Sequence, residues 1–377
     1  MAELEVPMST IERVELSMVD LVPRVKRTDA IQSFVSQETP LVRIFDSDGA
    51  EGVGYSYTIG SGGSSVMGLL RDHLAPQLPG RDPAHIEAIW RDLKFSTNAT
   101  TAGVITALAL AAIDTALWDL KCKKAGLPLH VVAGGARDRV GLYTTEGGWL
   151  HIEQDKLVED ALAAQASGFG GAKVKVGKPH VAQDVERIMA VREAVGPAWE
   201  LMVDANQAFT VDEAIRRARC FEPADLAWLE EPMPAEDVSG HERLSQATTL
   251  PIAIGESVYS IGHFREYMQR GACSIVQVDV ARIGGITPWL KVAHTAESFN
   301  LPVCPHFLME LHVSLVCAVP NGRWVEYIPQ LDEITEQPLV IENGQALAPT
   351  EPGLGIRWDW EEISRRRVNA HTAVIQK

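Results

Sequence analysis

"GAKVKVGKPHVAQDVERIMAVREAVGPAWELMVDAN", Gly171 to Asn206, is the stretch whose reading decides the fold. In its opening run Lys173 and Lys175 alternate with Val174 and Val176, the period-two pattern of a β-strand, so both ammonium groups point to one face and both valines to the other. "HVAQDVERIMAVREAVG" carries apolar residues at helical spacing, and "ELMVDAN" reads again as a strand. The stretch is one strand–helix–strand unit. Working outward, the same texture recurs: strands are predicted near residues 140–147, 171–177, 200–206, 226–232, 251–257, 275–281, 301–307 and 323–328, with amphipathic stretches between them. Eight strands at about 20–30 residues per unit are what a (β/α)₈ barrel requires, here over residues 136–353.

The texture differs upstream. Short extended runs, "TPLVRIFDSDG" and "EGVGYSYT", flank the turn-forming Asp48-Gly49, and a helix is predicted in "GVITALALAAIDTALWDLKCKKAG", with basic residues in its last turn and Gly126 as its stop. Residues 1–135 therefore read as an N-terminal α+β capping domain bounded by "GGARDRV". The tail, 354–377, adds an extended piece and a helix expected to pack back on that domain. The overall class is α/β.

Bulk composition narrows the function classes. A hydrophobic content of 46% against 22% charged suits a soluble globular protein, and 34 basic against 50 acidic residues (net charge −16) argues against nucleic acid as a partner. An anionic substrate would need local compensation by lysine or a metal. Five scattered cysteines without a C-x-x-C pair read as buried thiols in a reducing compartment. The opening "MAELEVPMSTIERVELSM" lacks a signal-peptide pattern and no 18-residue apolar run occurs, so a cytoplasmic protein with no membrane association is expected.

In a barrel of this kind the C-terminal strand ends form the active-site mouth. The strand ends here carry Lys175, Asp204, Glu230, Glu256, Asp279, His306 and Glu326 in turn. Asp204, Glu230 and Glu256 lie 26 residues apart at each step, on three consecutive strands. One such carboxylate alone could be a solvated strand end; three in register would repel one another unless a cation neutralised them. All-oxygen ligands point to Mg²⁺, or Mn²⁺. Lys173 beside Lys175, with the cation, is expected to lower the pKa of Lys175 and fit it for general-base work. Asp279 on the neighbouring strand could orient the imidazole of His306, whereas His312 nearby reads as a core histidine.

Taken together and in order, "KVKVG", "LMVDANQ", "WLEEP", "IAIGES", "VQVDVARIGG", "PHF" and "WVEY" resemble the enolase superfamily, specifically its mandelate racemase subgroup, and the resemblance spans essentially the whole chain. It implies that Asp204, Glu230 and Glu256 hold Mg²⁺, with Asn206 and Glu231 as supporting groups. By the same resemblance Lys175 is the base on one face of the substrate, Lys173 tunes it and meets the substrate carboxylate, and His306 with Asp279 serves the other face. Glu326 is then an acid or hydrogen-bond donor to the enolate oxygen, which requires a raised pKa. The shared chemistry is removal of a proton α to a carboxylate, leading to dehydration of a sugar acid to a 2-keto-3-deoxy acid, or to racemisation or epimerisation of a 2-hydroxy acid. A metal-binding barrel without catalysis is the remote alternative.

Within the subgroup, "GVGYSYTIGSGG", "YTTEGGWLH" and "PHFLMELH" are most similar to talarate/galactarate-type dehydratases. In those enzymes basic residues of the N-terminal loops meet the far carboxylate of a diacid; the corresponding positions here are Ile31 and Ile59, followed by Gly60. A small-molecule monocarboxylate, or one with a neutral or partly apolar distal end, is the expected substrate. Arg24, Lys26 and Arg27 are nearby cations that could compensate or simply be solvated. The loops at 24–31 and 58–64 hold the specificity. The resemblance also implies a homo-oligomer, often an octamer.

Overall fold

The computed structural model describes residues 9–100 and 103–376; residues 1–8, with which the expected first domain begins, lie outside them. The N-terminal part comprises β1 (Ile11–Leu21), a small hairpin of β2 (Arg27–Thr28) and β3 (Ser33–Phe34), then β4 (Gln37–Asp46), β5 (Glu51–Tyr55) and β6 (Thr58–Ile59), followed by α1 (Gly63–Leu69), α2 (Ile86–Ser96) and α3 (Val104–Ala125). β1, β4 and β5 are antiparallel neighbours, with Leu16 opposite Val42 and Val42 opposite Gly54. β5 is an edge strand whose free N–H groups need partners. α3 supplies them: Thr115 Oγ1 accepts from Tyr55 N at 3.1 Å and Asp119 Oδ2 accepts from Val53 N at 2.8 Å. That approach is close enough to require glycine, since a Cβ on Gly54 would sit 2.2 Å from Ala116 N. α3 stops where expected, with Gly126 left-handed at φ 67°.

The barrel follows as α4 (Leu129–Val132), β7 (Arg139–Thr144), α5 (Gln154–Ala166), β8 (Gly171–Lys175), α6 (Val181–Val195), β9 (Glu200–Asp204), α7 (Val211–Phe221), β10 (Trp228–Glu230), α8 (Val238–Ala247), β11 (Ile252–Ile254), α9 (Ile261–Gln269), β12 (Ile275–Val276), α10 (Ile286–Ser298), α11 (Met309–Ala318) and β13 (Trp324–Tyr327). Strands β7 to β12 pair in sequence order, all parallel, and β13 pairs with β7 to close the ring. The strand expected at 301–307 is shorter than the sequence suggests. It survives as Val303, bridging Val276 on one side and Gly322 on the other, because Pro302 and Pro305 have no N–H to give a ladder. Nor is the hairpin of β14 (Ile341–Glu342) and β15 (Gln345–Leu347), which adds antiparallel to β7, foreseen by the strand count.

Val174 of β8 and Val176 just beyond it face outward into the main core, whereas inside the barrel Tyr143, Met202, Trp228, Ala253, Ile275 and Cys304 form a separate apolar plug. α12 (Trp360–Arg366) and β16 (Ala373–Gln376) end the chain, and β16 pairs antiparallel with β1, giving the sheet order β16-β1-β4-β5. Among the described residues no helix is long and apolar enough to cross a membrane. All five cysteines are free; Cys220 is half-buried and the other four are buried.

The sheet-bearing part is fastened to the barrel through α3. Asp114 Oδ2 accepts from Thr287 N at 2.9 Å and Oδ1 from Thr287 Oγ1 at 2.6 Å, so an acid on one unit caps the start of α10 on the other. Trp118 Nε1 donates to the same hydroxyl at 2.9 Å. Burial pushes the Asp114 carboxyl up to about 7, against the Thr287 hydrogen bonds that pull it down. Between about pH 4 and that value, the folded state holds a proton that the unfolded chain has lost, so this group's contribution to stability falls as pH rises. In urea titrations the stability of wild type relative to Asp114→Asn should fall by on the order of a few kcal/mol from about pH 4 to about pH 8; a pH-independent difference would contradict the assignment.

Candidate active site

Lys175, Asp204 and Glu230 end three adjacent strands in one register, Lys175 opposite Asp204 and Asp204 opposite Glu230. Glu256 comes from one step further, past the end of β11, where Gly255 at φ 147° turns the chain against the Gln277 backbone. The three carboxylates offer oxygens that lie within 4.8 Å of one another, and all are buried. Burial pushes Glu230 up to about 7; Lys173 opposes this, while Asp204, Glu326 and Glu256 reinforce it. Asp204, equally buried, is instead held below its ordinary value, because Lys175 and Lys173 outweigh desolvation. Negative charge is thus in excess at this row even with two lysines beside it. Three convergent oxygen donors in excess negative charge fit a hard divalent cation such as Mg²⁺.

Both lysines point into the barrel, as the alternation requires. Lys175 Nζ is 2.5 Å from Asp204 Oδ2 and 3.0 Å from Asn206 Oδ1, and it lies over the Trp149 ring. The lowering expected of its pKa depends on the cation, and the protein's own groups act on balance the other way. Burial and Lys173 lower it, but attraction by Asp204, Glu256 and Glu230 carries it above the ordinary lysine value. A second ammonium therefore cannot depress Lys175 by itself; the carboxylates' charge must be engaged by a cation for that to happen. Lys173, 1% exposed, is 2.7 Å from Glu230 and 2.9 Å from Glu326, and it sits beneath the cavity without lining it.

At the other end of the row, His306 Nδ1 is 2.9 Å from Asp279 Oδ2 and Nε2 is 3.3 Å from Glu256 Oε2. Asp279 also accepts from Tyr57 OH at 2.7 Å and from the backbone of Ala281 and Arg282. Despite its burial it is pushed down to about 2, chiefly by His306. His306 itself is raised: burial opposes the charge, but Glu256 and Asp279 win. His312 is the core residue expected, with its Nδ1 against Phe307 O, its Nε2 accepting from Val280 N, and burial pushing it down to about 4.

Glu326 does not show the raised pKa that its expected part needs. Lys173, His306 and Thr145 together overcome burial and hold its pKa well below the carboxylate range, so it is an ionised acceptor. Its partners are Lys173, Thr145 Oγ1 and Phe307 N at 2.9 Å. The supporting groups do two different things. Asn206 fixes Lys175 and Asp204 together, its own N–H donating to Asp204 Oδ1 at 2.8 Å. Glu231, pushed up to about 8 by burial and Glu256, accepts from Ser257 N and Oγ and so secures the residue next to Glu256. Asn206, Glu231, Phe307 and Leu308 all have positive φ, which concentrates backbone strain at these strand ends.

Lys175, Asn206, Glu256, His306 and Glu326 line one cavity, whose remaining walls include Asp29, Ile31, Phe34 and Ile59 from the first domain. Ile31 and Ile59 stand where the sequence places the distal end of a substrate. Arg24 and Arg27 do not reach it. Arg27 is buried against Glu146 at 2.6 Å and Arg24 faces Asp332 and Glu333, so neither offers a cation to a far carboxylate. Three residues escape the sequence reading. Arg282 lines the cavity and donates to Glu256 O at 3.0 Å; Tyr57 reaches Asp279 from the first domain; Asp29 enters from the loop after β2. Only Arg282 carried a signal, three residues beyond Asp279 in "VQVDVARIGG".

Comparison with known proteins matches two family models in turn. Residues 14–134 match the mandelate racemase/muconate lactonizing enzyme N-terminal domain and residues 156–363 match the enolase C-terminal domain-like family. An L-talarate/galactarate dehydratase of Salmonella typhimurium is 36% identical over 352 residues, covering 92% of this chain and 88% of that protein. A 3,6-anhydro-alpha-L-galactonate cycloisomerase of Streptomyces coelicolor is 36% identical over 361 residues, 95% and 99% of the two chains. Among solved structures, an L-talarate dehydratase from Polaromonas sp. complexed with Mg and L-glucarate superimposes with a TM-score of 0.92 at 36% identity, covering 98% of this chain and 100% of that one. With both halves matched in order around this cavity, the chain belongs to the enolase superfamily, in its mandelate racemase/muconate lactonizing enzyme family.

Proposed function

We propose that the protein is a Mg²⁺-dependent acid-sugar dehydratase that converts a polyhydroxylated monocarboxylate to a 2-keto-3-deoxy acid. The observation that carries this reading is the placement of two proton-transfer groups, Lys175 and His306, at opposite ends of one carboxylate row in one cavity. The L-talarate/galactarate dehydratase among the relatives and the Mg-bound L-talarate dehydratase neighbour support the same class. Mg²⁺ held by Asp204, Glu230 and Glu256 supplies Lewis-acid stabilisation of the charge that develops on the substrate carboxylate. As the neutral amine, Lys175 takes the α-proton, and the electron pair left on that carbon delocalises into the carboxylate. His306, with Nδ1 anchored on Asp279, gives the proton on Nε2 to the β-hydroxyl as the carbon–oxygen bond breaks and water leaves. The resulting enol tautomerises to the keto acid.

Lys173 and Glu326 act as positioning groups in this scheme: one neutralises Glu230, the other holds Lys173 and the backbone beside His306. Five free cysteines support a reducing, cytoplasmic setting, and homo-oligomeric assembly follows from family resemblance alone.

Incubated with Mg²⁺ and a panel of aldonates and aldarates, the protein should form 2-keto acid. Lys175→Ala and His306→Ala should each cut kcat by about 10²–10⁴-fold while metal binding persists. Full turnover by either variant would remove that residue from the chemistry. Deuterium entering the α-carbon from D₂O without keto acid would instead identify a racemase. Dialysis against a chelator should abolish turnover and added Mg²⁺ restore it, and Glu256→Gln should weaken Mg²⁺ binding by calorimetry at least about tenfold; activity that survives chelation would exclude this reading.

A further inference from the structure

Asp29 is 4% exposed and lines the active-site cavity, yet its two oxygens are treated differently. Oδ1 accepts from the backbone N–H of Ile31 and of Gln32, both at 2.8 Å, and closes the turn after β2. Oδ2 is buried and has no hydrogen-bond partner. An acceptor withdrawn from water without a donor is costly, so such atoms are normally satisfied by something that binds. The loop cannot easily turn away to water: Leu150 N donates to Thr28 O at 2.9 Å, and Ala30 packs where a Cβ on Gly177 would sit. What this oxygen can take is a donor. A substrate hydroxyl is one, and a second carboxylate is not.

The rest of the wall agrees. Ile31, Phe34 and Ile59 contribute no charge from the first domain, and Arg282 already directs Nη1 to Glu256. We infer that Asp29 is a specificity-determining residue: its free Oδ2 accepts a hydroxyl of the bound acid, whereas a second carboxylate there would set acceptor against acceptor, so the site selects aldonates over aldarates. This inference rests on the dehydratase reading and assigns its substrate class.

The test uses pairs of acids that differ at one end only, gluconate with glucarate and galactonate with galactarate, assayed with Mg²⁺ for keto acid. Wild type should prefer the aldonate of a pair it turns over. Asp29→Asn keeps the Oδ1 acceptor for the turn and replaces Oδ2 with an amide donor. It should lower kcat/KM for the aldonate by about 10–100-fold, mainly through KM, and shrink the preference over the aldarate. Asp29→Ser, whose hydroxyl can also close the turn, should do the same, with melting temperature and Mg²⁺ affinity checked for both. A wild type that prefers the aldarate, or folded variants with the wild-type ratio, would overturn the inference and leave the dehydratase reading standing. No turnover of any acid by wild type, with Mg²⁺ bound, would bring down both.

Discussion

A row of buried carboxylates that cannot stay charged on its own governs this active site. Asp204, Glu230 and Glu256 converge because parallel strands in register end together, and the barrel interior denies them water. Lys173 and Lys175 are set against the row by the same registry, one below it and one at its edge. Beneath them the plug of Tyr143, Trp228 and Ile275 keeps the floor dry, and Trp228 Nε1 donates to Glu230 from it at 2.9 Å. The low dielectric of that floor is what makes each charge matter to the next. It explains why neighbouring carboxylates diverge, Glu230 upward and Asp204 downward, and why Lys175 cannot be lowered by a second lysine alone.

The first domain is part of this electrostatic system. Tyr57 holds the oxygen of Asp279 that orients His306, and Asp29 closes the cavity from above. Asp114 fixes the distance between the two parts by capping α10 through Thr287. The carboxylate row, both lysines and His306 thus come from the barrel, while Asp29, Ile31, Phe34 and Ile59 of the cavity wall come from a different unit.

Much of this is legible in the residues because strands repeat every second position and barrels repeat every unit. "AKVKV" alone fixes the direction of both lysines, and the even spacing of 204, 230 and 256 brings the acids to one end. Other features depend on distance, which spacing does not encode. The sign of the pKa shift at Lys175 and at Glu326 follows from which charge sits 2.5–3 Å away: Asp204 raises the one and Lys173 lowers the other, the latter against the direction expected from the sequence. The seventh strand shrank to a bridge through two prolines visible in "LPVCPHF", a local signal that the strand count overlooks. Tyr57 and Asp29 act across domains and have no signature within their own segments.

The central claim is that the carboxylate row exchanges its tie to Lys175 for a divalent cation. Anomalous diffraction from crystals grown with Mn²⁺ addresses this directly. The account predicts one strong peak bonded to Asp204, Glu230 and Glu256, with Lys175 Nζ withdrawn from Asp204 into the cavity. A row without a peak, with Lys175 still held on Asp204, would contradict it.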